Sequence, residues 1–188
     1  HPALFLIQDG IICFSIPFTK AEDLDDLLTE IEKTPYDKPI FLKLTPDLNT
    51  KEIDDLINVC DNHKVDGFIC TNLTKHRENI EVKKHLKDAD IKEVGGISGK
   101  PVQNLSTNLI KYIYQKTNGK YIIIGCGGVF SAEDAYEKIK AGASLIQMIT
   151  GMVFKGPQLI NEINRELVTL LEKDGYNNIS QAIGKDVI

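Results

Sequence analysis

The sequence predicts an α/β protein built on a parallel sheet, and two observations carry that prediction. Short apolar runs alternate with longer stretches of helical period, the arrangement of successive βα units. The runs are also apolar nearly throughout, rather than at every second position, which suits strands covered on both faces. They fall at 10–15, 40–44, 67–71, 121–125 and 144–149, giving five candidate strands.

The first helix is expected between the first two runs, where Leu24, Leu27, Leu28 and Ile31 follow the i, i+3, i+4, i+7 spacing and Thr19 with Glu22 forms a capping box. Ile53, Leu56, Ile57 and Cys60 repeat the spacing behind Asn49 and Glu52, a second capping box. Leu105, Leu109 and Ile113 mark a helix before the fourth run. Ser131 is placed to cap the helix carrying Ala135 and Ile139. Ile160, Ile163, Leu167 and Leu170 mark the last long helix, which Gly175 would close in a left-handed turn. Residues 74–93 break the alternation: dense in Lys, Glu, Asp and His, they read as a solvated loop or helix. His76 and His85 in that stretch have no partner at metal-ligand spacing and read as surface residues, so no metal is expected.

Composition narrows the function classes. Lys plus Arg number 22 against 27 for Asp plus Glu, a net charge of -5 with no basic block, so a nucleic-acid backbone is not an expected partner. Cys13, Cys60, Cys70 and Cys126 form no C-x-x-C pair and lie among apolar neighbours, as buried thiols in a reducing compartment would. The most apolar stretch, 4–14, is interrupted by Gln8, Asp9 and Gly10 and falls short of the roughly 18 residues of a membrane helix. The start at His1, without a basic region and cleavage site, reads as truncated or processed rather than secretory.

Several residues sit where chemistry is expected, at the carboxyl ends of the strands. Lys43 interrupts the apolar run 40–44; it is either aimed at an anionic ligand or a snorkelling lysine on an edge strand. Thr71 and Asn72 end the third run with a hydroxyl and an amide. The glycine clusters GGISG at 95–99 and GCGG at 125–128 could let backbone N–H groups approach a phosphate, or could be simple tight turns. QMITG at 147–151 adds a second strand exit beside the GCGG exit, and paired exits of the last two strands form the recurrent phosphate site of barrels. Five βα units are more than half of a (β/α)8 barrel of about 250 residues, while a flavodoxin-like open sheet fits the same count. The residues alone thus point to a phosphorylated small ligand held at the strand ends, without fixing a reaction.

Taken together, FLKLTPD at 41–47, DGFICTN at 66–72, GGISGKP at 95–101, LST at 105–107, IGCGGV at 124–129, DAYEKI at 134–139, AGASL at 141–145 and QAIG at 181–184 closely resemble the second half of class 2 dihydroorotate dehydrogenases. The resemblance runs from about Lys38 to the C-terminus. It implies that residues 1–188 are the C-terminal portion of one FMN-binding (β/α)8 TIM barrel domain, here about the last five βα units, with 1–20 poorly matched. It implies oxidation of dihydroorotate to orotate in pyrimidine synthesis, with quinone as acceptor. The implied location is the mitochondrial inner membrane, or the bacterial cytoplasmic membrane, reached through upstream segments. By position, Lys43 would approach the flavin ring, with Thr71, Ser98 and Gly99 also touching FMN. Gly127 and Gly128 would hold its phosphate with Ile149 and Thr150, and Asn72 would bond the substrate.

The sequence departs from the family pattern where substrate belongs. Leu73 stands where the family has a substrate-binding Thr, and Ile149 where Tyr is usual. CFSIPFT at 13–19 falls where the family has Asn-Val-Ser-Ser-Pro-Asn-Thr, which puts Ile16 at the general base and Cys13 and Phe18 at substrate-binding asparagines. An isoleucine accepts no proton, and loss of a general base costs about 10² to 10⁴ in rate. A catalytically inactive or incomplete FMN- or phosphate-binding barrel remnant is therefore the alternative. A phosphate-binding barrel synthase or isomerase without flavin accounts for the glycine exits but not for Lys43, Thr71 and Ser98 together. Five isolated strands would also expose two unpaired edges and apolar surface.

Overall fold

The computed structural model describes residues 5–8, 11–15, 20–86 and 95–187, the first two segments through their backbone. Six strands form one sheet in the order of the chain: β1 (Phe5–Gln8), β2 (Ile11–Ser15), β3 (Ile40–Leu44), β4 (Gly67–Cys70), β5 (Ile122–Cys126) and β6 (Leu145–Gln147). β2 to β6 are parallel, and β1 lies antiparallel on β2. All five expected strands form, each end lying within two residues of its expected place. Strand order decides between the two α/β alternatives. A doubly wound sheet reverses direction at a switch point, whereas here each strand is laid beside its predecessor throughout, as in a barrel wall. The flavodoxin-like reading is therefore corrected. So is the edge reading of Lys43, because β3 is paired on both sides.

Strand alternation assigns two faces. Ile40, Leu42, Leu44, Phe68 and Ile123 pack outward beneath α1 (Ala21–Glu32), α2 (Thr50–Asn62) and α4 (Gln103–Lys116), which contribute Leu24, Leu28, Leu56, Ile110 and Ile113. Phe41, Ile69, Ile124 and Cys126 form a smaller cluster on the opposite face. Lys43 alternates with Phe41 and so belongs to that inner face, toward which a barrel closes. A third cluster joins α5 (Ala132–Lys140) to α7 (Gln158–Lys173) through Ala135, Tyr136, Ile139, Ile163 and Leu167, with Ala182 of the QAIG tail buried among them.

The helix starts follow the sequence in two of three cases. Asn49 and Glu52 form the full reciprocal box, with the Glu52 N–H donating to Asn49 Oδ1 at 3.0 Å and the Asn49 N–H to Glu52 Oε2 at 2.8 Å. Asn49→Ala should therefore destabilise the chain by about 1 kcal/mol, read as a lower urea midpoint at unchanged slope. Ser131 caps α5 by accepting the Asp134 N–H. For α1 the expected Thr19 cap lies outside the described residues; Lys20 is the cap residue and makes no side-chain cap bond. Among its described residues, the polar stretch after β4 contains one short helix, α3 (Ile80–Lys83), pinned by the buried Val82. His76 and His85 are exposed, as expected. Gly175 closes α7 with φ 78°. Cys60, Cys70 and Cys126 are buried free thiols, and the side chain of Cys13 lies outside the description.

Among the described residues the sheet does not close. β1 covers the β2 side, so the described edges are β1 and β6 rather than β2 and β6. Along β6 runs an apolar depression of about 510 Å³ that includes Leu145, Met148, Met152 and Ile160. Leu145 is 56% exposed and Phe154 of α6 (Thr150–Lys155) 78%. No helix among the described residues is long and apolar enough to cross a membrane.

Candidate functional site

The carboxyl ends of β3 to β6 converge on one cleft of about 180 Å³. All nine positions expected at the site line it: Lys43 from β3, Thr71 and Asn72 after β4, Ser98 and Gly99 from the glycine loop, Gly127 and Gly128 after β5, Ile149 and Thr150 after β6. Leu73, Val102, Cys126 and Met148 line it too. Ile16 and Phe18 lie outside the described residues.

Each wall is fixed by hydrogen bonds of the backbone or of side chains. The Thr71 N–H donates to the Cys126 carbonyl at 2.6 Å and the Asn72 N–H to the Leu44 carbonyl at 2.7 Å, so the β4 exit is tied to both neighbouring strands. Asp47, from the FLKLTPD motif, accepts the Thr74 hydroxyl and the Lys75 N–H, the latter at 2.8 Å. Thr74 and Ile97 exchange N–H···O bonds of 3.0 and 2.8 Å, which brings the glycine loop alongside. Arg77 donates to the Gly95 carbonyl at 2.8 Å. Ser98 and Thr150 are 3.0 Å apart, hydroxyl to hydroxyl, and join that loop to the β6 exit. Leu73 presses against Gly96, where a Cβ would lie 1.9 Å from its Cδ1. Leucine thus fills the space beside Asn72 with methyl groups.

A second network secures the β5 exit. Lys100 Nζ donates to both oxygens of Asp134 at 2.8 Å and to Gln103 Oε1 at 2.9 Å. Asp134 also accepts the Gln103 amide at 2.7 Å and the Phe130 N–H at 2.8 Å. The turn from Gly127 to Phe130 is therefore held against the start of α4. Gly127 and Gly128 have φ of 118° and 75°, conformations that only glycine adopts without strain.

Two features show what this cleft would accept. Among the described residues no carboxylate lines it, whereas Lys43 does, and Lys43 has no ion-pair partner among them. The Thr71 hydroxyl is buried, with the residue 2% exposed, and has no hydrogen-bond partner among the described residues. An unsatisfied buried hydroxyl costs about 1–3 kcal/mol, which a polar ligand in the cleft would relieve. The pocket favours an anion with hydrogen-bonding edges. Its volume is below the usual 300–1,000 Å³ of a small-molecule site, so these residues make part of an enclosure.

The family model described as dihydroorotate dehydrogenase matches residues 14–171. The chain belongs to the dihydroorotate dehydrogenase family. It is 42% identical over 188 residues to the dihydroorotate dehydrogenase (quinone) of Crocosphaera subtropica, covering 98% of this chain and 47% of that protein. Against the mitochondrial dihydroorotate dehydrogenase (quinone) of Arabidopsis thaliana, identity is 45% over 148 residues, 79% of this chain and 31% of that one. Among solved structures, the DHODH of Eimeria tenella in complex with ferulenol superposes with a TM-score of 0.80 at 30% identity, over 94% of this chain and 53% of that one. The chain spans about half the length of the curated relatives it matches. The open β6 edge is thus the open side of a partial barrel.

Sequence reasoning missed the residues behind the dehydrogenase-family cleft. Ser106 is fully buried and its hydroxyl lies 2.8 Å from the Cys126 carbonyl and 3.1 Å from that of Cys70. Ser106 sits in the LST motif and Lys138, which bonds it, in DAYEKI. The motifs were legible, but nothing local told that a serine and a lysine on separate helices meet under a strand end.

Proposed function

We propose that this chain is the C-terminal, flavin-phosphate part of an FMN-dependent dihydroorotate dehydrogenase that serves pyrimidine synthesis and passes electrons to quinone. The observation that carries the reading is the convergence of Lys43, Thr71, Ser98, Gly99, Gly127, Gly128, Ile149 and Thr150 on one cleft where, among the described residues, no carboxylate stands and the Thr71 hydroxyl has no partner. Gly127, Gly128, Ile149 and Thr150 would surround the FMN phosphate, with the glycine backbone approaching closely because no Cβ intervenes. Thr71, Ser98 and Gly99 would bond the flavin edge. Lys43, on the inner face, would lie beside the ring and favour negative charge there. Asn72 would donate to the anionic pyrimidine substrate. Bound FMN supplies the hydride acceptor for carbon C6 of dihydroorotate.

The working enzyme would sit at the mitochondrial inner membrane or a bacterial cytoplasmic membrane, the first suggested by the mitochondrial name of the Arabidopsis relative. A second reading, a flavin- or phosphate-binding barrel portion without turnover, is favoured by Leu73, which offers no hydrogen bond beside Asn72.

The test is the visible spectrum of the purified chain with FMN, before and after anaerobic dihydroorotate. Bound flavin that bleaches supports the dehydrogenase. Bound flavin that stays oxidised supports the second reading. Absence of binding, in this chain and in one completed by the preceding barrel strands, counts against both. Lys43→Met should weaken FMN binding by about tenfold, the effect of one lost charge-assisted contact; an unchanged Kd would remove Lys43 from the site.

A further inference from the structure

Lys138, in the seventh position of α5, has no exposed surface and takes no part in the chemistry above. Its ammonium has three donors, and three acceptors meet it: the Gln103 carbonyl at 3.2 Å, Ser106 Oγ at 3.0 Å and Thr107 Oγ1 at 3.0 Å. No carboxylate among the described residues forms an ion pair with it. A buried cation held only by neutral acceptors is costly. The arrangement points to a use.

Hydrogen-bond polarity shows what that use is. An ammonium offers no lone pair, so Ser106 Oγ must accept from Lys138 and send its single proton elsewhere. The groups within reach are the carbonyls of Cys126 at 2.8 Å and Cys70 at 3.1 Å, the last residues of β5 and β4. The Cys126 carbonyl also receives the Thr71 N–H. Thr107 is fixed in the same sense, accepting from Lys138 and donating to the Gln103 carbonyl at 3.1 Å. The next residues along the two strands are Thr71 and Gly127. A Cβ built on Gly127 would stand 3.4 Å from Ser106 Cβ and 3.6 Å from Thr71 Oγ1, so the network lies directly beneath the cleft floor.

We propose that Lys138 is a positioning residue for the anion site: by fixing the direction of the Ser106 hydroxyl, it holds the ends of β4 and β5 at the separation at which Thr71 and Gly127 close on one ligand. The proposal deepens the flavin reading and rests on it for the identity of that ligand. Lysine is the residue suited to the position because it alone supplies three donors from a tetrahedral tip at the end of an apolar stem. Methionine matches its bulk and supplies none.

The experiment uses the full chain and two variants, Lys138→Met and Ser106→Ala, the second changing little more than one oxygen atom. Two quantities are read: Kd for FMN, and amide hydrogen exchange at Thr71 and at Ile122. Thr71 marks the cleft end of the β4–β5 pair, and Ile122, whose N–H is bonded to the Asp66 carbonyl, marks the far end. In both variants the expected result is an FMN Kd weakened by about tenfold, as for loss of one buried hydrogen-bonded link. Thr71 exchange should quicken by a similar factor while Ile122 exchange stays within twofold. Equal acceleration at both amides would mean a purely structural role and would overturn the proposal, as would wild-type Thr71 exchange in either variant. The exchange measurement requires no ligand. Failure to take up FMN, by this chain and by one completed with the preceding barrel strands, counts against the flavin reading, while the Thr71 and Ile122 rates still decide the role of Lys138.

Discussion

Replacing Gly128 by alanine should abolish FMN binding at micromolar concentration and lower stability by about 2–5 kcal/mol, the sum of left-handed backbone strain and overpacking. The backbone at Gly128 has φ 75°, and a Cβ there would lie 2.4 Å from Gln103 Cβ and 2.7 Å from Gln103 Cα. Gln103 cannot retreat. Its amide group is bonded to Asp134 and Lys100, and its carbonyl accepts from Lys138 and Thr107. The turn must therefore move, and with it the N–H groups that would surround a phosphate. Gly95→Ala is the control: its φ of 97° is equally left-handed, but nothing lies within 4 Å of the added methyl. That variant should lose about 1–2 kcal/mol through strain alone and keep FMN affinity. Denaturant titration and flavin fluorescence check both. A Gly128→Ala chain binding FMN within twofold of wild type would remove this turn from the phosphate site.

The contrast between strands and supports explains what the sequence could reveal. β3 to β5 were legible because, covered on both faces, they are apolar almost without break. Lys43 stood out for the same reason, as the one charge inside such a run. The cleft residues could be grouped before their positions were known because parallel strands put all their carboxyl ends at one rim. β1 was not legible: 4–14 contains two pairing segments, and antiparallel pairing depends on a partner rather than on a local period. At α1, Thr19 and Glu22 have the spacing of a box, but Thr19 lies outside the described residues and Lys20 stands at the cap position. Lys138 was the deepest omission. A lysine in DAYEKIK reads as solvent-facing, and its burial follows from Ser106 and Thr107 arriving on α4 some thirty positions earlier. Ile149 needs no tyrosine's hydroxyl to line the cleft, since its contribution there would come from the backbone.

The pH dependence of stability should expose Lys138 as a buried cation. Burial pushes it down to about 8, against the opposing pull of Glu137, the Cys126 thiol, Asp134 and the Cys70 thiol. In the unfolded chain the same lysine titrates near 10.4. Below pH 8 both states carry the proton, and the folded state bears the full unfavourable difference. Between pH 8 and about 10.4 the unfolded chain binds more protons, so this group makes stability rise with pH, by about 1.4 kcal/mol per unit and on the order of 3 kcal/mol in all. The raw profile will not show it. Burial pushes the Cys60 thiol up to about 12 and the Cys70 thiol higher still, and raises Tyr121 and Tyr136, whose phenols also donate to Asp61 and Asp174. Those groups stay protonated in the fold while the unfolded chain loses their protons, so they lower stability as pH rises past about 9. They are common to wild type and Lys138→Met, and cancel in the difference between the two. That difference, from urea unfolding at pH 7, 8, 9 and 10, should move in favour of wild type by about 1.4 kcal/mol per unit above pH 8. A flat difference would mean that Lys138 holds its proton as firmly in the fold as in water, and that its three neutral acceptors fully replace the solvent it gave up.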